Sequence, residues 1–249
     1  MSLPGAEIIE RAGIIAWPAL ETEYDGSWVR RAANNYTHRA NSVQSLNPAD
    51  DGTAPARLKA AVEWFDARGV DPVFRVTPLC GVRVREALTE GGWTSFDHSF
   101  LFAMELGSTA ADPRGEAVDP NSYAFLAAQK QLRGYDDAKL AKLLAIIQVL
   151  EVPARGVLLR DADGAVVASA LMSVAEGIVI TGNVVTDATR RRQGFGAAMM
   201  RTGLAWAHAE GATVAALNVA ANNAAGQALY SSLGYAEQYE YHYQRPPGR

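Results

Sequence analysis

Apolar and polar positions alternate along this chain with two periods, and the switches between them predict its elements. Residues 5–17 place Ile8, Ile9, Ala12, Ile15 and Ala16 on one face of a helix. Residues 39–46 alternate like a short strand, and 47–57, with Pro48, Gly52 and Pro55, read as a turn-rich loop. An amphipathic helix is predicted over 58–69, stopping at Gly69, then a strand over 72–78 and a helix over 82–92. A long aromatic-rich strand follows over 93–106. Residues 107–121, rich in Gly, Pro and Asp, read as a linker. Beyond it the pattern predicts helices over 122–134 and 136–150 and strands over 155–160, 165–174 and 177–185. A helix (194–210), a strand (213–219), a helix (223–233) and a strand (235–243) complete the chain. Interleaved strands and helices predict a layered α/β fold.

The two ends of this list repeat. At an offset of 142 residues, Trp64 falls on Trp206, Ala67 on Ala209, Gly69 on Gly211 and Gly92 on Gly234. Asn41 and Val43 fall on Asn183 and Val185, and Trp93 falls on Tyr235. The element types match in the same register, with no gap. This points to a duplicated fold with halves at 1–110 and 117–249.

Composition narrows the function. The 249 residues are 49% hydrophobic and 20% charged, the balance of a globular protein. A net charge of −4 argues against general attraction to nucleic acid or an anionic membrane. The single cysteine, Cys80, fits a reducing compartment, and a cytoplasmic location is expected. The N-terminus lacks the basic start and apolar core of a signal peptide, and no stretch has the length of a membrane helix. The four histidines are scattered, without metal-ligand spacing, so no metal is expected.

Against this acidic background stands "TDATRRRQGFGAAMM", residues 186–200. It links a predicted strand to a predicted helix. The first N–H groups of such a helix lack partners, and with the helix dipole they form an anion site. Gly194 and Gly196 let a phosphate approach the backbone, and Arg190, Arg191 and Arg192 add charge. The spacing is neither a Walker A loop nor a dinucleotide fingerprint, and on spacing alone a basic surface turn remains open. Farther on, "NNAAGQALYSSLGY" reads as a helix capped by Asn222 or Asn223 and ended at Gly234, with Tyr230 on the flank of its apolar face.

Together these stretches resemble the acyl-CoA-binding core of the GNAT acetyltransferase superfamily. Arg191, Gly194 and Gly196 match its [QR]-x-x-G-x-[GA] motif, and Asn223, Gly226, Leu229, Tyr230, Gly234 and Tyr235 match N-x-x-[AG]-x-x-L-Y-x-x-x-G-[FY]. The resemblance covers residues 154–243 well and 117–153 loosely. It implies the GNAT acyl-CoA N-acyltransferase fold, a mixed central sheet flanked by helices in two GNAT-like halves, and acetyl-CoA as cosubstrate. The turn Arg191, Arg192, Gln193, Gly194, Phe195, Gly196 and Ala197 would hold the pyrophosphate. The backbone at Val184, Val185 and Thr186 would pair with the pantetheine arm, and Asn223 would anchor the cofactor side of the next helix. Tyr230 would protonate the departing thiolate. Ala188 stands where many relatives have proline.

The general base is not identifiable from the motifs; Glu176 occupies the family-like position, and a solvated carboxylate is its plain alternative. Applying the offset to the first half turns the loop into "ADDGTA" and Tyr230 into Leu88, so that half resembles a degenerate repeat. It is expected to be structural and to help form the acceptor pocket. The expected reaction is direct acetyl transfer to the primary amine of a small molecule. Acetylation of protein N-termini or lysines, and a non-catalytic acyl-CoA-binding module, are the alternatives. No nucleic acid or membrane partner is expected, and a homodimer is left open.

Overall fold

The computed structural model describes residues 3–249. Its helices are α1 (Ala6–Ala16), α2 (Ala54–Asp66), α3 (Val82–Glu90), α4 (Tyr123–Arg133), α5 (Asp137–Gln148), α6 (Phe195–Ala209) and α7 (Ala224–Ser232). Its strands are β1 (Glu21–Asp25), β2 (Trp28–Ala32), β3 (Ser42–Ser45), β4 (Phe74–Val76), β5 (Thr94–Glu105) and β6 (Gly115–Val118). There follow β7 (Ala154–Arg160), β8 (Val166–Ala175), β9 (Ile178–Thr186), β10 (Val214–Ala220) and β11 (Ala236–Arg245).

All the strands join one mixed sheet in the order β1-β2-β3-β4-β11-β5-β10-β9-β8-β7-β6. Its centre is the antiparallel pair β5 and β11, whose register holds Ser99 opposite Tyr241 and Thr94 opposite Arg245. Outward from that pair, β4 and β10, then β3 and β9, then β2 and β8 occupy matching places. The last strand of each half therefore lies between strands of the other. In addition, α1 packs Ile9, Ala12 and Ala16 against Ile178, Ile180 and Ala216. The break in sequence near residue 110 thus has no matching gap in the sheet.

Alternation along β9 and β10 sends neighbouring residues to opposite faces. Val179, Leu217 and Val219 join the core under α6, with Met199, Met200 and Leu204. Ile180 and Ala216 face α1, and farther along that face α4 and α5 bury Phe125, Leu143 and Ile146 with Leu158 and Leu171.

Two predicted boundaries shift. Helix α2 begins at Ala54, four residues before the expected start, because Pro55 occupies its first turn, where a missing N–H costs nothing. Strand β6 lies inside the predicted linker, pairing Gly115–Val118 with β7 at the sheet edge. Strands β1 and β2 had no counterpart in the sequence reading. Four charged or polar residues in five hide β1, whereas Trp28–Ala32 are all buried.

Candidate active site

Strands β9 and β10 pair in parallel only from Ile178 to Thr181 and from Val214 to Leu217. Beyond that, β9 continues to Thr186 along β8, and β10 continues to Ala220 along β5. The two strands therefore part, and the edge of β9 from Gly182 onward is left without a ladder toward β10. A bulge drives the separation: Asn183 takes φ 51°, and the β8 register slips between Ser169 and Leu171. The bulge is held from α4. Gln129 Nε2 donates to the Asn183 carbonyl at 3.1 Å, and Arg133 Nη2 donates to the Val184 carbonyl at 2.9 Å. Asn183 Nδ2 in turn donates to the Tyr36 hydroxyl at 3.1 Å.

At the end of β9, Asp187 accepts from the Thr189 N–H and hydroxyl, both at 2.8 Å, and closes a single helical turn. Arg192 (φ 62°) and Gly194 (φ 80°) then both adopt left-handed backbone, and α6 starts at Phe195. Alternating handedness turns successive N–H groups toward one concavity. Among the described residues, no hydrogen bond uses the backbone N–H groups from Arg191 to Ala197. Gly196 is closely approached: a Cβ there would lie 3.2 Å from Leu229 Cδ2 and 3.3 Å from Thr186 Oγ1. Unpaired amides at the start of a fifteen-residue helix, beside exposed Arg191 and Arg192, form a concavity suited to an anion.

Tyr230, on α7, is buried at 6% exposure beside Phe195 and Leu217. Burial pushes its phenol up to about 12, against the opposing charges of Arg133 and Arg39. It is therefore protonated at neutral pH, as a proton donor must be. Asn223 caps α7, its side chain accepting from the Gly226 N–H at 3.0 Å. That oxygen is committed to the helix, which leaves only the amide nitrogen free to donate.

Glu176 is misplaced for a general base. It is the first residue of a two-residue hairpin between β8 and β9, with φ 51° followed by Gly177 at 74°. Gly182 lies six positions farther on, about 20 Å along an extended strand. The exposed carboxylate therefore lies at the opposite end of β9 from the opening.

On the α1 face of the opening lies a cavity of about 500 Å³. Asn218 and Ala220 of β10 form one side, Tyr241 and Tyr243 of β11 the floor, and His38, Arg39 and Asp97 the far side. His38 Nε2 stands 3.6 Å from Asp97 Oδ2, with its ring against Phe96 and Tyr243 at 5.2 and 5.3 Å. Asp97 reaches it from a bulge in β5, where it takes φ 48°. Below the floor, Glu10 and Arg75, each with a 5% exposed side chain, pair at 2.8 Å. Burial raises the Glu10 carboxyl, but the Arg75 charge and hydrogen bonds from Arg75, Tyr239 and Gln44 outweigh this and hold it below the usual range. Arg75 also reaches Tyr243 Oη and Asn218 Oδ1, so this network braces the cavity floor.

A family model described as "Probable histone acetyltransferase Rv0428c C-terminal" matches residues 6–244. The chain belongs to that family, and its fold is that of the GNAT acetyltransferases. It is 24% identical over 242 residues to the "Uncharacterized N-acetyltransferase YobR" of Bacillus subtilis (strain 168), covering 94% of this chain and 96% of that one. A GCN5-related N-acetyltransferase from Kribbella flavida shares the fold at TM-score 0.72 and 21% identity, covering 100% of this chain and 98% of that one. A tandem GNAT protein from the clavulanic acid biosynthesis pathway is similar at TM-score 0.61 and 13% identity, covering 98% of this chain and 88% of that one.

Within this fold, Gly196 lies against Leu229 and Thr186, and Tyr230 shares one core with Phe195 and Leu217. The sequence reading missed Tyr36, Arg39 and Arg133, which line the opening from other elements. Their signals were weak: one arginine in a loop, one on a helix of ordinary amphipathicity. Among the described residues, no group of His, Cys, Asp and Glu could hold a metal, and no helix is long and apolar enough to cross a membrane.

Proposed function

We propose that the protein transfers the acetyl group of acetyl-CoA to the primary amine of a small molecule by direct attack. The observation that carries this reading is the single opening between β9 and β10, with unpaired amides at one end and a cavity at the other. The amides of Arg191–Ala197 hold the pyrophosphate, and the free edge of Val185 and Thr186 lies along the pantetheine arm. The Val184 carbonyl is already taken by Arg133, so its share in that pairing falls to its N–H.

The amine nitrogen attacks the thioester carbonyl carbon, the new C–N bond forms and the C–S bond breaks. Tyr230 gives its proton to the departing sulfur, and the proton lost by nitrogen leaves through a base. Products are the N-acetyl amine and the free thiol of CoA. His38 supplies the basic group, because it lines the cavity and the Asp97 carboxylate stands beside it. Burial lowers its pKa from 6.5, against the raising charges of Asp97 and Asp71, so the imidazole is neutral at neutral pH. Arg245 lowers it further.

Tyr230→Phe is expected to lower kcat by about 100-fold or more while acetyl-CoA affinity stays within about twofold. Stopped thiol-release assays and calorimetry measure the two. Unchanged kcat would remove Tyr230 from the proton path. The kcat/KM of the wild type should fall on the acid side as His38 gains a proton. Asp97→Asn removes a charge that raises the imidazole pKa, so that limb should move to lower pH. A limb that stays in place, or moves upward, would exclude His38 as the base. The family description names a histone acetyltransferase, so lysine peptides belong in the same assays.

A further inference from the structure

Arg39 has a position that acetyl transfer alone does not explain. It belongs to the first half, yet its Nη1 and Nη2 lie 3.8 Å from where a Cβ of Gly182 would stand, at the mouth of the opening. It also lines the cavity. The other buried and half-buried arginines have bonded partners. Arg30 and Arg57 reach Asp25, Arg75 reaches Glu10, and Arg31 reaches backbone carbonyls. Among the described residues, no hydrogen bond or ion pair reaches the Arg39 guanidinium.

Its position is nonetheless fixed. The guanidinium lies 5.0 Å from the Trp17 ring centroid, and Trp17 Nε1 donates to Thr37 Oγ1 at 3.0 Å. The Arg39 carbonyl accepts from Arg31 Nη1 at 2.6 Å. A half-buried guanidinium held without an anion forgoes solvation that a carboxylate would restore with two parallel hydrogen bonds.

The cosubstrate does not supply that anion. Its phosphates belong to the turn at the start of α6, on the face where Val179 and Leu217 point. Gly182 and Ile180 share strand parity and face the other way, toward Arg39, Trp17 and α1. The thioester end that reaches this face is uncharged. A charge that waits here before reaction must therefore come with the acceptor.

We propose that the acceptor is a small amino-carboxylate, its carboxylate bound by Arg39 and its amine presented to the opening between β9 and β10. This rests on the acetyl-transfer reading above. In a free α-amino acid the two groups are two bonds apart, which matches Arg39 standing directly against Gly182. The cavity of about 500 Å³ takes the side chain, between Tyr241, Tyr243 and the His38–Asp97 pair. The reaction is unchanged in its balance: the amino-carboxylate in its ammonium form and acetyl-CoA give the N-acetyl amino-carboxylate, CoA thiol and one proton.

The test is thiol release from acetyl-CoA with the free L-amino acids, their α-amides, propylamine and lysine peptides blocked at both ends. Wild type and Arg39→Gln are compared, with acetyl-CoA binding by calorimetry in parallel. The proposal predicts kcat/KM at least about tenfold higher for an acid than for its amide, carried by KM. In Arg39→Gln the ratio should fall to near one, with acetyl-CoA affinity unchanged; Arg39→Lys should restore part of it. Equal use of acids and amides by the wild type would overturn the proposal. So would a loss of kcat in Arg39→Gln that is the same for both, which would make Arg39 a stabiliser of charge in the reaction. Turnover with propylamine or peptides but no amino acid overturns the carboxylate and leaves acetyl transfer standing. Binding of acetyl-CoA without thiol release by any amine overturns both readings.

Discussion

The turn after β3 and the turn after β9 enter α2 and α6 at matching places in the sheet, yet their polar groups go in opposite directions. In the turn after β9, two left-handed residues leave a run of N–H groups unpaired and put arginines beside them. In the turn after β3, only Thr53 is left-handed, and the side chains close the site. Asp50 Oδ2 accepts from the Ser27 N–H at 2.7 Å and hydroxyl at 2.8 Å, and Oδ1 pairs with Arg57 at 2.9 Å. Asp51 accepts from the Arg83 N–H at the start of α3. The aspartates therefore do more than repel a phosphate. They turn an anion site into an internal clasp between β1, β2, α2 and α3. One scaffold gives a receptor or a fastening according to two or three side chains.

That comparison is broken most strongly by exchanging charges. Arg192→Asp with Gln193→Asp places the acidic pair of the first turn into the second. Acetyl-CoA affinity should fall by about 100-fold or more while the melting temperature changes little, as calorimetry and thermal unfolding would show. Next in size, Asp50→Asn should cost about 1 kcal/mol in urea unfolding, a modest figure because the carboxylate is partly exposed. The backbone hydrogen bond from Ser27, then the Arg57 and Ser27 side chains, hold its carboxyl at about 2, below the ordinary 3.8. This contribution is present above pH 3.8 and is lost as pH falls toward 2. The gap between wild type and variant should close over that interval. The smallest effect separates the paired glycines. Gly194→Ala, at φ 80°, should cost about 1 kcal/mol, whereas Gly52→Ala, free of positive φ and of close neighbours, should stay within about 0.5 kcal/mol of wild type.

Much of this was legible in the chain. Helix-ending glycines, buried tryptophans and the 142-residue offset mark local packing, and the element pairs α3 with α7 and β5 with β11 follow that offset. The turn motif and Tyr230 were also readable, because amide exposure and helix starts are local properties. What stayed hidden depends on contacts far apart in sequence. The interleaving of β5 and β11 cannot be read from periodicity, since either strand would look the same in its own half. Glu176 looked suitable because distance along the chain does not say which end of a strand meets the opening. His38 and Arg39 sit in a single 3-10 turn, too short for periodicity to register, whose place over Gly182 is set by Asn183, Tyr36 and Trp17.

The central claim is that one turn is a cofactor cradle and its counterpart is a closed copy. Isothermal titration of the full chain with acetyl-CoA tests it most directly. The account predicts one site per chain, abolished by Arg192→Asp with Gln193→Asp and unaffected by Asp50→Asn. Two sites per chain, or binding that survives the exchange in the second turn, would contradict it.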